Sequence, residues 1–291
     1  MTNGLCWALA GLGTLAAAGL GTLAATPRLL SVTEPDLSAQ FAGYGVRRTF
    51  VHISDYHYEL LRVPERRIKD AFDRIDPDAV LFTGDLFCKA KYSLPALESL
   101  LRVTGGRPLY MCLGNHEYKA YRISEAPPGL PQSTDEFIGL AESRGCHICH
   151  DGVYAFQGVN IAVLDEFRAN AGMESSYRQK AVETLNSCPA DVPLILLCHN
   201  PSSAGVIARI PAGDVHRPDL VLCGHYHGGQ IDLPGHPEYS HFRREMQYLP
   251  GHYRGLAFHD GLPVYISRGL GNVIVPFRFR SVPEITVLRL T

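Results

Sequence analysis

"RTFVHISDYHY", residues 48–58, is an apolar run that passes within two residues into an aspartate and a histidine, Asp55 and His57. Short runs rich in β-branched, aromatic and aliphatic residues read as strands buried on both faces. The same junction recurs four times downstream. "DAVLFTGDLF" (78–87) carries Asp85 at its end, "RPLYMCLGNHE" (107–117) carries Asn115, His116 and Glu117, "VPLILLCHN" (192–200) carries His199, and "PDLVLCGHYHGGQ" (218–230) carries His225 and His227. A lone Asp or His at a strand end is ordinarily a turn or structural residue. Five such ends in order, each beside a turn residue, point instead to one site that several strands build together.

Three further runs, "VNIAVLD" (159–165), "LPVYISRG" (262–269) and "EITVLRL" (284–290), also read as strands. Helix candidates lie between the early ones: "PERRIKDAFDRI" (64–75), "LPALESLLRV" (94–103) and "STDEFIGLAESRG" (133–145). In the last, Ser133 and Glu136 have capping-box spacing and Gly145 supplies the stop. Strands alternating with helices predict an α/β fold, in which ligand sites gather at the carboxyl ends of the strands.

The chain has 291 residues, 46% hydrophobic and 19% charged, with a formal net charge of -2. That balance excludes the basic excess of a general nucleic-acid binder, so no nucleic-acid partner is expected. The N-terminus stands apart. From Gly4 to Ala25, "GLCWALAGLGTLAAAGLGTLAA" carries no charge and has the length of roughly 20 apolar residues that crosses a bilayer. Residues 1–27 therefore read as a membrane anchor or export signal, 28–47 as a linker around the polar "SVTEPDLSAQFAGYGV", and 48–291 as the α/β body. Arg28 follows the apolar segment and nothing basic precedes it, which favours a body on the cytoplasmic face of an inner membrane. Of the eight cysteines, Cys88, Cys112, Cys198 and Cys223 lie in or beside apolar runs, where a free thiol packs as a small hydrophobe.

"GCHICHDG" (145–152) has the C-x-x-C-H spacing of a c-type haem attachment. Gly145 ends the preceding helix, so the stretch begins an extended run. Residues three apart on a strand face opposite sides, and Cys146 and Cys149 would diverge; no haem is expected.

The order D-x-H, G-D, G-N-H-E, H, G-H-x-H, carried by Asp55, His57, Asp85, Asn115, His116, His199, His225 and His227, resembles the calcineurin-like metallophosphoesterases from about residue 48 onward. "GHYHGGQ" and "YISRGLGNVIVPFRFRSVPEITVLRL" are similar to the membrane-associated bacterial phosphodiesterase branch, which includes an enzyme hydrolysing UDP-2,3-diacylglucosamine in lipid A synthesis. The resemblance implies a four-layer αββα sandwich with a dinuclear metal site at the strand carboxyl ends. It implies one ion held by Asp55, His57, Asp85 and His227, and a second by Asp85, Asn115, His199 and His225, with Asp85 bridging. Mixed carboxylate, amide and imidazole donors suit Mn²⁺ first, with Fe²⁺ or Zn²⁺ as alternatives, and not Ca²⁺. A hydroxide held between the ions would attack phosphorus in line, and His116 would stabilise charge or protonate the leaving oxygen. Cys88 stands where many members have a second acid and is expected outside the metal shell. The resemblance also makes "CHI" (146–148) a short strand with Cys146 and Ile148 on the buried side.

Specificity is expected in the loops "YKAYRISEAPPGLPQ" and "HPEYSHFRREMQYLPGHYRG", where Lys119, Arg122, Arg243 and Arg244 are candidate phosphate contacts. A membrane segment beside the site favours a lipid-linked phosphodiester or pyrophosphate as substrate. An exported nucleotide phosphodiesterase and a catalytically degenerate binding protein on the same fold are the alternatives.

Overall fold

The computed structural model describes residues 25–148, 151–165, 173–232 and 248–291. The expected apolar segment up to residue 24, Cys149 and His150 of the haem-like motif, and Arg243 and Arg244 lie outside the described residues. Among the described residues no helix is long and apolar enough to cross a membrane.

All eight apolar runs form strands, distributed over two mixed six-stranded sheets. The first sheet has β2 (Arg48–Ile53), β3 (Ala79–Thr83), β4 (Leu109–Cys112) and β5 (Cys146–Ile148) in parallel. Against β2 lies the last strand, β12 (Glu284–Leu290), antiparallel, and β1 (Ser31–Thr33) pairs parallel to β12. The second sheet has β7 (Val159–Val163), β8 (Leu194–Leu197), β9 (Leu220–Cys223) and β11 (Leu262–Ile266) in parallel, edged by antiparallel β6 (Gly152–Phe156) and β10 (Gly255–His259).

Alternation of side chains makes three apolar layers from these strands. Phe50, Leu81, Tyr110 and Cys112 of the first sheet meet Ile161, Ile195, Leu197 and Leu222 of the second. Val51, Ile53, Val80, Phe82 and Met111 face the other way, onto helices α1 (Glu65–Ile75), α2 (Ser93–Thr104), α3 (Asn115–Ile123) and α4 (Thr134–Ser143). Leu194, Leu196, Val221 and Val264 pack on α5 (Glu174–Asn186) and α6 (Pro201–Ala208). Helices, two sheets and helices again give the expected αββα sandwich.

Local chemistry explains the helix ends. Ser133 Oγ accepts from Glu136 N at 3.1 Å to start α4, and Gly145 follows its end at φ 86°. β5 buries Cys146 and Ile148 and turns His147 outward, where its ring stacks on Tyr110 at 4.7 Å. Two expectations are corrected. Residues 31–46, read as a polar linker, contribute β1 and bury Leu37 and Phe41 between the sheets. The stretch after His116, read as a loop, begins as α3, because Gly114 ends β4's run and Asn115 opens a helix with Glu117 in its first turn.

Candidate metal centre

The carboxyl ends of β2, β3, β4, β8 and β9 converge at one end of the sandwich, and all seven expected metal-capable residues and His116 arrive there. Their side chains form two fully buried clusters, Asp55 with His57 and His227, and Asp85 with His199 and His225, and a third, partly buried grouping of His57 with Cys88 and His116 lies beside them. In the first, His227 Nε2 is 3.4 Å from Asp55 Oδ1 and 3.2 Å from His57 Nε2. In the second, His199 Nε2 is 3.2 Å from Asp85 Oδ2 and 3.1 Å from His225 Nδ1. Asp85 Oδ2 also lies 3.6 Å from His57 Nε2, so this one carboxylate touches both groups. Asn115 Oδ1 is buried with no hydrogen-bond partner. An orphaned amide oxygen beside carboxylates and imidazoles is a donor set that fits a divalent cation.

The strand ends turn sharply to present these groups. Asp55, His57, Asp85, His225 and His227 all have positive φ, between 39° and 69°. Non-glycine residues in that region are sparse and cost of order 1–3 kcal/mol each when strained, and they gather at functional sites. The glycines beside them are there for space. A Cβ on Gly114 would overlap Asp85, and one on Gly224 would overlap Ser54 Oγ and Asp55.

Electrostatics prepares the donors. Burial pushes His57 down to about 3 and His227 well below its ordinary value, so both rings are neutral and have a lone pair to give. Burial raises Asp55 to about 6. Burial also opposes ionisation of Asp85, but the surrounding His199, His116 and His57 hold it well below the usual carboxylate range. His116 sits at the N-terminus of α3 with its ring perpendicular to that of His57, centroids 4.9 Å apart, and burial lowers its pKa. Its backbone N–H donates to Asp85 Oδ1 at 2.9 Å.

Three groups support the donors: Cys88, expected outside the metal shell, and Glu117 and Arg278, which have no role assigned from sequence. Cys88 Sγ lies 3.0 Å from His57 Nδ1, behind the ring nitrogen that faces Asp85, and burial beside Glu59 raises its thiol pKa, so it stays a thiol. Glu117 is fully buried and accepts from Gly114 N at 2.7 Å, Asp85 N at 3.1 Å and Leu86 N. It ties the β3 and β4 ends together, and burial lifts its pKa to about 8. Arg278, wholly buried, lies 3.3 Å from His227 Nδ1 and donates to Arg268 O, Gly271 O and Ser281 O. The acid spacing of G-N-H-E was a visible signal for Glu117; Arg278, 51 positions from His227, offered none. Of the proposed phosphate contacts, Lys119 is exposed on α3, near enough for its charge to lower His116 further, while Arg122 Nε donates back to Tyr118 O at 3.1 Å.

Residues 48–229 match the family of calcineurin-like phosphoesterases. The chain is 34% identical to phosphodiesterase YaeI of Escherichia coli over 244 residues, covering 82% of this chain and 80% of that one. It is 28% identical to UDP-2,3-diacylglucosamine pyrophosphatase LpxG of Chlamydia muridarum over 313 residues, covering 90% of each. Among solved structures it is similar to a dimetal phosphatase from Danio rerio, with a TM-score of 0.44 at 11% identity, covering 84% of this chain and 99% of that one.

Proposed function

Because the chain belongs to the calcineurin-like phosphoesterase family and is on that ground a metal-dependent hydrolase, we propose that it hydrolyses a phosphodiester or pyrophosphate of a lipid-linked substrate such as UDP-2,3-diacylglucosamine. The observation that carries the chemistry is the sharing of Asp85 between two buried clusters, each completed by histidines. Asp55, His57, Asp85 and His227 would hold one ion, and Asp85, Asn115, His199 and His225 the other. Two divalent ions there, Mn²⁺ by preference, supply Lewis-acid charge for the phosphoryl oxygens and an activated water.

The protein's own groups do the rest. The neutral His57 and His227 rings and the ionised Asp85 are ready donors before any ion arrives. His116 reaches the substrate side of the site from a helix N-terminus, where the helix dipole favours a phosphate. There its imidazole donates a hydrogen bond to a phosphoryl oxygen, and a bound phosphate's negative charge raises its pKa toward that of a general acid for the leaving group. Lys119 adds positive charge at the rim.

The lipid-linked class is supported by the apolar segment 4–25 read as an anchor, with the body on the cytoplasmic face, and by the likeness to LpxG. Among the described residues six cysteines are free thiols, which accords with a reducing compartment. The test is a hydrolysis screen of the metal-reconstituted full chain against UDP-2,3-diacylglucosamine, other lipid phosphates and cyclic nucleotides. Turnover of a lipid-linked ester above the soluble ones is expected; turnover of soluble nucleotides alone rejects the lipid class.

A further inference from the structure

Beside His227, the Gln230 amide grips the loop that follows Asn272. Its Nε2 donates to Val273 O at 3.0 Å and Val275 O at 3.1 Å, and its Oε1 accepts from Val273 N at 2.9 Å. Held from inside, the loop turns apolar side chains out: Ile274 is 69% exposed and Phe277 44%. Ile274 also has φ 62°, a conformation that β-branched residues rarely hold. Backbone strain that holds apolar groups in solvent beside a reactive site calls for a partner surface.

Neighbouring segments continue this rim. Asn272 Nδ2 donates to Leu60 O at 2.7 Å, tying the loop to the segment after His57. Arg67, in the first turn of α1, donates to Arg28 O at 3.1 Å, beside Leu29, which is 45% exposed. Ser31 pairs with Glu284 and its N–H donates to Pro283 O at 2.8 Å, while Glu284 N donates to Gly269 O. A Cβ on Gly269 would touch Asp55. β1 therefore starts at the end of the sheet that carries the metal-capable residues, and the chain arrives from its N-terminal segment there.

Charge around the rim is predominantly positive. Arg28, Arg62, Arg66, Arg67 and Arg280 are exposed, Glu65 is paired with Arg102 at 3.1 Å, and Asp70 is the exposed carboxylate of that stretch of α1. Apolar side chains among arginines match an interface of acyl chains and anionic headgroups.

We propose that this rim, with Leu29, Ile274 and Phe277 at its surface, rests on an anionic lipid bilayer and turns the mouth of the metal site toward it. The proposal rests on reading residues 4–25 as a bilayer segment and the substrate as lipid-linked. The six residue steps from Ala25 to Ser31 span at most about 22 Å. A tether that short holds the β1 start, and the site with it, close to the membrane surface. A lipid-linked phosphate would then reach the metals while its acyl chains stay in the bilayer.

The full chain, carrying Trp7→Phe to remove its single tryptophan, is reconstituted into phosphatidylcholine–phosphatidylglycerol vesicles whose acyl chains are brominated. Tryptophan fluorescence is compared between Ile274→Trp and Arg144→Trp, the latter exposed at the opposite end of the sandwich just after α4. Quenching at position 274 at least threefold greater than at position 144 is expected. Equal quenching, as a protein partner on the rim or a freely tumbling body would give, overturns the proposal. The same samples are assayed on bis(p-nitrophenyl) phosphate and on vesicle-embedded UDP-2,3-diacylglucosamine. Hydrolysis of the soluble ester only, with the quenching difference present, rejects the lipid substrate and keeps the docking; lipid turnover without that difference does the reverse.

Discussion

At the scale of single residues, His116 and Cys88 separate chemistry from support. His116 stands outside the two His/Asp clusters, grouped with His57 and Cys88 beside them, and its Nδ1 is buried without a partner. His116→Ala is expected to lower turnover of bis(p-nitrophenyl) phosphate by about 10²–10⁴-fold, with both metals retained on elemental analysis. Loss of the metals in that variant would show that His116 is a ligand. Cys88 Sγ touches His57 Nδ1 at 3.0 Å and would act on the site by orienting that ring. Groups in that position behind a metal-binding histidine are worth about 10–100-fold in metal affinity. Cys88→Ala should therefore weaken metal binding by that factor in a titration, with Cys88→Asp recovering most of it; unchanged affinity in Cys88→Ala would rule the contact out as a positioning device. These side chains were legible in the sequence because each metal-capable group directly follows an apolar run. Cys88's contact was not, since His57 lies 31 positions away and is brought beside it by the pairing of β2 with β3.

At the scale of elements, strand ends hold the site through close backbone approach. The turn after β9 passes so near Ser54 and Asp55 that no side chain fits at Gly224. Gly224→Ala is expected to destabilise the protein by about 1–3 kcal/mol, the usual cost of overpacking, and to lower metal content because His225 N and Asp55 are joined by 3.0 Å hydrogen bonds. Denaturant unfolding and metal analysis check both; normal metal content with normal stability would mean that the turn has room to relax. The local signals that predicted β2, β3, β4, β8 and β9 were their apolar runs, whereas α5 and α6 were not foreseen. Their faces are read only against the second sheet, and α6 is buried along its whole length, which erases the amphipathic pattern.

At the scale of the whole molecule, buried histidines resist protonation and tie stability to pH. His52 is fully buried between the sheets with Nε2 2.8 Å from Thr83 Oγ1, and burial pushes its pKa down to about 3. An unfolded chain binds that proton below the ordinary value of 6.5 and the folded chain refuses it until about pH 3, so the contribution of His52 to stability is lost as pH drops through this window. In the metal-free protein His52 alone contributes a loss of about 1.4 kcal/mol per pH unit below pH 6.5, with His57 acting in the same direction and Glu117 and Asp55, whose raised pKa values favour the proton in the folded state, opposing it. His52→Gln should flatten the slope in denaturant unfolding between pH 7 and 5; an unchanged slope would show that His52 is not responsible. Metal adds to the same balance from outside. At a hundredfold excess over Kd, one bound ion stabilises by about 2.7 kcal/mol, so chelation should lower Tm and added Mn²⁺ restore it. A Tm indifferent to chelator would count against a metal centre.

What the sequence determined by itself is the set of strands and the order of donors at their ends, because a buried strand and the turn that closes it are local in the chain. The αββα arrangement followed from resemblance to a family. The tertiary structure alone decided that residues 31–46 complete the first sheet and its core, that β12 returns from the far end of the chain to lie beside β2, and that Arg278 and Cys88 stand behind two of the histidines. Those are contacts between distant segments. They arise only when the two sheets pack, and no periodicity or spacing within either segment encodes the partner.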